Sequence, residues 1–196
     1  MKRTATRSVL TLSVIMLLFS CGVTTRNKNE GLFSLTLKTT NAGEFSLKQI
    51  RSNKVSVFVF LSPGCTMCQD YTLTLNELYE KYKLRGVEVY AVFLGKKVTS
   101  DEIDNYAKTY SVKFNMLIDD KKQLAGMLDA KVTPEVFVID GMGEEIYKGA
   151  IDNWFDEQGE KRSSITEHYL NDALQAALTG TKAKVTAVEA KGCPIE

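Results

Sequence analysis

The chain has 196 residues, 44% of them hydrophobic and 25% charged, and Lys+Arg 25 against Asp+Glu 24 leaves a formal charge of +1. These proportions belong to a folded globular domain with a sizeable core and exclude a disordered chain, a collagen-like repeat and a polytopic membrane protein. The balanced charge argues against nucleic acid as a partner, since phosphate binding shows as a basic surplus, and four cysteines are too few for a disulfide-built scaffold.

Residues 1–20 read as an export signal. Lys2, Arg3 and Arg7 give a basic start without an acid, and Val9 to Phe19 is an apolar run too short for a comfortable membrane span. The run closes on Leu18-Phe19-Ser20-Cys21, which resembles the Leu-x-x-Cys lipobox of bacterial lipoproteins. That resemblance implies acylation of Cys21, cleavage before it, and a lipid-anchored protein of the bacterial cell envelope facing the periplasm or the exterior. An ordinary signal peptide with a chance cysteine is the alternative. Residues 21–31 then form a polar, lipidated tether. Beyond the cytoplasm disulfides persist, and Cys65, Cys68 and Cys193 remain for chemistry.

The domain proper is expected over residues 32–180. Leu32 to Leu37 alternates as a short strand, and Phe45 to Leu47 follows a turn at Asn41 to Gly43. Val55 to Leu61 is β-branched, aromatic and almost wholly apolar, the pattern of a central strand buried on both faces. Ser62-Pro63-Gly64 ends it. From Thr66 a helix is predicted, with Tyr71, Leu75, Leu78 and Tyr82 on one face and Gly86 at its C-terminal end. A strand over Val87 to Leu94, a helix after Ser100-Asp101, a strand over Phe114 to Ile118 and a short helix over Leu124 to Leu128 follow. Val132-Thr133-Pro134 interrupts the chain before a hairpin, Glu135 to Ile139 with Glu145 to Gly149. Residues 152–164 are a polar insertion holding Trp154 and Arg162. Ile165 to Thr179 is predicted as the last helix, and residues 181–196 as an extended tail. Strands alternating with helices give an α/β fold with a central, mostly parallel sheet covered on both faces, closed by an antiparallel edge.

Cys65-Thr66-Met67-Cys68 carries the chemistry. It follows the central strand and opens a helix, whose N-terminus bears partial positive charge and unpaired N–H groups. A thiolate there is stabilised, and the thiolate is the attacking species in disulfide exchange. Pro63-Gly64 turns the backbone so that Cys65 is expected to face solvent. No Lys or Arg occurs between residues 55 and 80, so the helix end acts on Cys65 nearly alone. The expected thiol is moderately acidic, and alkylation against pH tests that. A zinc site lacks a second close ligand pair. The one histidine, His168, is expected on the last helix beside the apolar stripe, where a solvated side chain is the reading. No metal and no cofactor are expected. An inert structural Cys65–Cys68 disulfide stays open.

The strand, the CxxC at a helix start, the later Thr133-Pro134, the hairpin and the final helix together resemble the thioredoxin fold. Thr133-Pro134 matches that family's cis-proline, so the resemblance implies a substrate groove at Thr133 and Pro134. Departures are Gly64 in place of tryptophan, Thr66-Met67 between the cysteines, and Val59 in place of a buried acid. Phe60-Leu61, Cys65 and the stretch Thr133 to Asp140 look like redoxins related to peroxiredoxins. Tyr147 to Asn153 and Tyr169-Leu170 with Ala173-Leu174 extend that likeness, and Gly192-Cys193-Pro194-Ile195 looks like the closing signature of one peroxiredoxin-like branch. True peroxidases carry Pro-x-x-x-Thr/Ser-x-x-Cys. Ser62 fits that pattern, Phe58 replaces its proline, and Arg162 is the one candidate for a thiolate-side arginine.

Geometry brings Cys193 into play. The last helix carries the chain about 20 Å from the CxxC end, and the twelve residues from Thr181 to Gly192 span up to about 40 Å when extended. The tail can therefore return Cys193 to Cys65 or Cys68 as a third redox cysteine, or leave it a free thiol. The primary expectation is a membrane-anchored thiol–disulfide oxidoreductase. Cys65 attacks, Cys68 resolves, the clients are disulfide-containing or thiol proteins, and an upstream thiol–disulfide donor supplies electrons. A thiol peroxidase using Cys65 with Cys68 or Cys193 is the alternative, and a non-catalytic lipoprotein binding module the third.

Overall fold

A computed structural model describes residues 28–95 and 98–195. The export signal and Cys21 lie outside the described residues. The chain opens with a short helix, α1 (Lys28–Phe33), then β1 (Thr36–Thr39) and β2 (Glu44–Ser46), then a 3-10 segment, Leu47–Ser52. Next come β3 (Val55–Leu61), α2 (Thr66–Tyr82), β4 (Val87–Phe93), α3 (Ser100–Thr109), β5 (Asn115–Ile118) and α4 (Gln123–Leu128). The second half adds β6 (Val132–Thr133), β7 (Glu135–Asp140), β8 (Glu145–Gly149), α5 (Tyr169–Thr179), β9 (Ala187–Val188) and β10 (Cys193–Pro194).

Eight strands form one mixed sheet in the order β2-β1-β5-β4-β3-β7-β8-β9, and β10 pairs separately with β6. β3 sits at the centre, parallel to β4 and antiparallel to β7. All seven of its residues are buried, which is why its sequence is apolar without alternation. Successive side chains point to opposite faces of a strand. Val55, Val57, Val59 and Leu61 meet α2, α3 and α5 through Leu75, Ile103 and Leu174. Phe58 and Phe60 meet α1, the 3-10 segment and α4 through Leu32, Ile50 and Leu124. The α/β class and the central sheet flanked by helices are as the sequence predicts; the sheet is more mixed than expected, with β3–β4, β4–β5 and the edge pair β8–β9 parallel and the other pairings antiparallel.

Two boundaries differ by more than one residue. The stretch around Leu32 is helical and not a strand, because Leu32 and Phe33 cap the second core face from α1. α5 starts at Tyr169, four residues later than the pattern from Ile165 suggests, with His168 exposed at its N-cap. The cause is local: the Asn153 side chain accepts from Thr166 N and Glu167 N, and Asn153 N donates to the Glu167 carbonyl. Residues 165–167 are thereby held as a loop against the 152–162 insertion.

Candidate active site

β3 and α2 fix the first cysteine. Ser62 to Cys65 forms a tight turn, closed by Cys65 N donating to the Ser62 carbonyl over 3.0 Å and by Gln69 Nε2 donating to the Pro63 carbonyl over 2.8 Å. Cys65 is the N-cap of the 17-residue α2, in extended conformation and without a side-chain cap bond. Its sulfur thus stands at the positive end of a long helix.

Around that sulfur the structure gathers Thr133, Pro134 and Cys193. Cys65 and Cys193 are joined by a disulfide, their Cα atoms 6.2 Å apart and 128 residues apart in sequence. Cys65 Sγ lies 3.1 Å from the Thr133 carbonyl oxygen, and the Thr133-Pro134 peptide is cis. The tail reaches this point as a strand: Cys193 is registered opposite Thr133 and Pro194 opposite Val132. Ile195 N donates to the Lys131 carbonyl over 2.8 Å, and the Thr133 hydroxyl donates to the Cys193 carbonyl over 3.4 Å.

This arrangement corrects one expectation. Cys65 does not face solvent; it is 1% exposed. Its cover is the tail strand, while Cys193 itself remains exposed. The pairing left open between Cys193 and its two possible partners falls to Cys65, and Cys68 keeps a free thiol.

Cys68 lies one turn into α2 and is fully buried. Ser62 N donates to its sulfur over 3.4 Å. Burial pushes the Cys68 thiol up to about 11, with the Ser62 N–H and the Thr133 hydroxyl pulling weakly the other way. The helix turn around it is fixed by polar contacts: the Thr72 and Tyr106 hydroxyls both donate to the Cys68 carbonyl, over 2.8 and 2.9 Å. Val59, in place of an acid, adds an apolar wall. Cys68 therefore reacts only after a base has taken its proton.

The insertion packs against α2 beside the site. Lys161 Nζ sits 2.7 Å from Asp70 of α2, and Tyr71 packs edge-on against Trp154 with centroids 5.4 Å apart. Tyr71 donates to the buried Asp152 over 2.6 Å, and Trp154 N donates to the same oxygen over 2.8 Å. Burial first, then this bond to a carboxylate, raises the Tyr71 pKa, so Tyr71 stays a donor at neutral pH. A cavity of about 250 Å³ opens beside Pro134, lined among others by Tyr71, Asp152, Arg162, Tyr169 and Lys191. Glu135, directly after Pro134, is buried and accepts from Lys131 N over 2.6 Å and Val132 N over 3.3 Å. Asp152 and Glu135 were missed as supports of the site. Their signal in the sequence is a single carboxylate in an apolar setting, Ile151-Asp152 and Pro134-Glu135-Val136. Among the described residues, no cluster of three or more His, Cys, Asp or Glu side chains is arranged to hold a metal ion.

The AhpC/TSA family model matches residues 30–145. The chain belongs to the AhpC/TSA family. Within it, the chain is 30% identical over 151 residues to the thiol–disulfide oxidoreductase ResA of Bacillus cereus, covering 71% of this chain and 86% of that protein. It is a thiol–disulfide oxidoreductase of the redoxin type. A solved structure of a hypothetical protein from Sinorhizobium meliloti aligns with a TM-score of 0.73 at 23% identity, over 82% of this chain and 89% of that one. A secreted disulfide oxidoreductase of Mycobacterium tuberculosis aligns with a TM-score of 0.55 at 14% identity, over 77% and 98%. Both likenesses concern the fold alone, which is thioredoxin-like.

Proposed function

We propose that this redoxin exchanges disulfides with client polypeptides outside the cytoplasm, held on a membrane through lipid on Cys21. Cys65 is the nucleophile. It attacks one sulfur of a client disulfide and the other client sulfur leaves as a thiol. Cys68 then attacks Cys65, forming Cys65–Cys68 and releasing the second client thiol, so two electrons pass to the client. An upstream thiol donor restores the dithiol, and the direction of flow follows the relative potentials. Thr133 and Pro134 border the place where the client chain lies. The observation that carries this reading is Cys65 Sγ at the N-cap of α2, 3.1 Å from the Thr133 carbonyl and already engaged in a disulfide. The test is insulin disulfide reduction with a dithiol donor. Cys65→Ser is expected to lower turnover by about a thousandfold or more, as removal of a nucleophile does; turnover within a few-fold of wild type overturns the assignment.

One observation favours a second reading. A disulfide between Cys65 and a distant tail cysteine is also the product expected when a sulfenic acid on Cys65 is resolved by Cys193 with loss of water. Peroxide consumption by the reduced protein separates the two activities. Against peroxidase chemistry stands Phe58, buried in the central strand where peroxidases carry proline. The anchor is tested by Cys21→Ser: the wild-type chain expressed in a bacterium should sediment with membranes and the variant should not. Equal partition of the two removes the lipid from the reading.

A further inference from the structure

The C-terminal strand does more than bring a third sulfur to the site. It runs antiparallel to Val132–Thr133, directly before Pro134, and delivers a cysteine to Cys65. An extended polypeptide that docked on a strand edge at this place, with a disulfide sulfur on Cys65, would use the same backbone groups. Strand pairing gives such a ligand its affinity and leaves choice to its side chains.

We propose that residues 192–195 act as an internal client: tail and external polypeptide take the Val132–Thr133 edge in turn, and Cys68 exchanges one for the other by transferring the disulfide on Cys65. This rests on the reading of Cys65 as nucleophile toward polypeptide disulfides. The step is balanced without any outside oxidant. The Cys68 thiolate attacks Cys65 Sγ, the Cys65–Cys193 bond breaks, Cys65–Cys68 forms, and Cys193 departs as a thiolate that takes up the proton Cys68 gave up. No net oxidation occurs. The Thr133 hydroxyl links the two events. It has one proton, which it gives to the Cys193 carbonyl in this structure, and it also stands within reach of Cys68. A thiolate on Cys68 is the stronger acceptor, so its formation draws that bond away from the tail.

The tail is built to detach. β10 is two residues long with both exposed, and its attachment is an exchangeable bond. It is also built to a narrow specification. A side chain at Gly192 would place its Cβ 2.2 Å from the Thr133 carbonyl oxygen, on backbone that cannot yield. The edge therefore accepts a strand with glycine immediately before its cysteine. The client class this defines is an extended polypeptide presenting Gly-Cys, and not a small free disulfide.

The test is single-turnover reduction, by the reduced full-length protein, of the disulfide-linked dimer of the peptide Ala-Lys-Gly-Cys-Pro-Ile-Glu. The same peptide with valine for glycine serves as its comparison. The glycine peptide should react about tenfold faster or more, the clash entering the barrier directly. Gly192→Val and Cys193→Ser, which weaken the tail's hold in different ways, should each speed the glycine peptide about threefold or more, because a tethered competitor acts at a high effective concentration. Dithiobis-nitrobenzoate needs no strand edge, and its reduction by wild type is the control that the dithiol is reactive. Equal rates for the two peptides, with no gain in either variant while the small disulfide still reacts, overturn the internal client and leave the oxidoreductase standing. Failure of wild type on all three substrates removes the oxidoreductase reading, and this proposal with it.

Discussion

The segment that carries Cys65 and the segment that carries Cys193 are held in different ways. Cys65 stands between β3, buried along its whole length, and α2, which drops Tyr71 and Leu75 into the same core. Its position follows from several large apolar contacts, each worth about 1.5–3 kcal/mol on burial. The tail is held by two short strands, β9 on β8 and β10 on β6, by close backbone approaches at Gly149 and Gly192, and by the disulfide itself. Few side chains bury there; Ala183 and Ala190 are its buried members. Cys65 is fixed by the fold, whereas Cys193 is fixed by contacts that a single exchange reaction can undo. Elements of low local stability are where a moving part belongs.

Phe137 of β7 is fully buried and meets Phe60 edge-on at 5.6 Å. Phe137→Ala should lower the stability of the domain by about 3–5 kcal/mol, through lost transfer energy and the cavity left behind. Urea unfolding followed by fluorescence measures it. A loss below about 1 kcal/mol, smaller than deletion of a buried aromatic ring produces, would mean that the central strands are not the frame of the site.

The next effect sharpens the chemistry that joins the halves. Burial pushes Cys68 up to about 11, so at neutral pH nearly all of it is the unreactive thiol. The thiolate fraction rises about tenfold per pH unit below that value. Conversion of Cys65–Cys193 to Cys65–Cys68 should therefore speed about tenfold from pH 7 to 8 and again from 8 to 9. The measurement is acid quenching followed by peptide mapping of the two disulfides. Thr133→Val, which removes the hydroxyl that can turn from the Cys193 carbonyl to a Cys68 thiolate, should slow the reaction at every pH. A rate flat between pH 7 and 9 would exclude the buried Cys68 thiolate as attacking group.

Sequence legibility follows the same division. The central strand was visible in Val55 to Leu61 because burial on both faces removes every polar residue. α2 was visible because one face is buried and CxxC sits at its start. Thr133-Pro134 and the hairpin after it carried their own turn residues. What escaped was set by distant partners. Ile165 continues an apolar stripe in sequence, yet Asn153, twelve residues earlier, ties its neighbours Thr166 and Glu167 into a loop. Leu32 and Phe33 are apolar in either a strand or a helix, and only the second core face selects the helix. The solvent exposure expected of Cys65 was correct for the helix start taken alone. It failed because the covering strand arrives from 128 residues away, and a chain-length argument can show that such a return is possible without showing that it is made.

The smallest effect isolates the tail from the frame. Gly149 ends β8 at a φ of +118°, and an added Cβ would lie 1.6 Å from the Val188 carbonyl oxygen. Val188 is where β9 runs alongside, with Ala150 N donating to that same carbonyl over 3.0 Å and Lys148 N donating to the Thr186 carbonyl over 3.1 Å. Gly149→Ala cannot keep both the strand pair and the backbone angle. The cheaper outcome is for β9 to lift off, since it buries little, while β7 and the rest of β8 stay paired. Global stability should fall by only about 1 kcal/mol, the scale of one strained residue relieved by local detachment. Hydrogen exchange resolves the rest: the Lys148 and Ala150 amides should lose protection while those of β3 keep theirs. Equal loss in β3 would mean that the tail is part of the cooperative core, and the division between a fixed Cys65 and a detachable Cys193 would not hold.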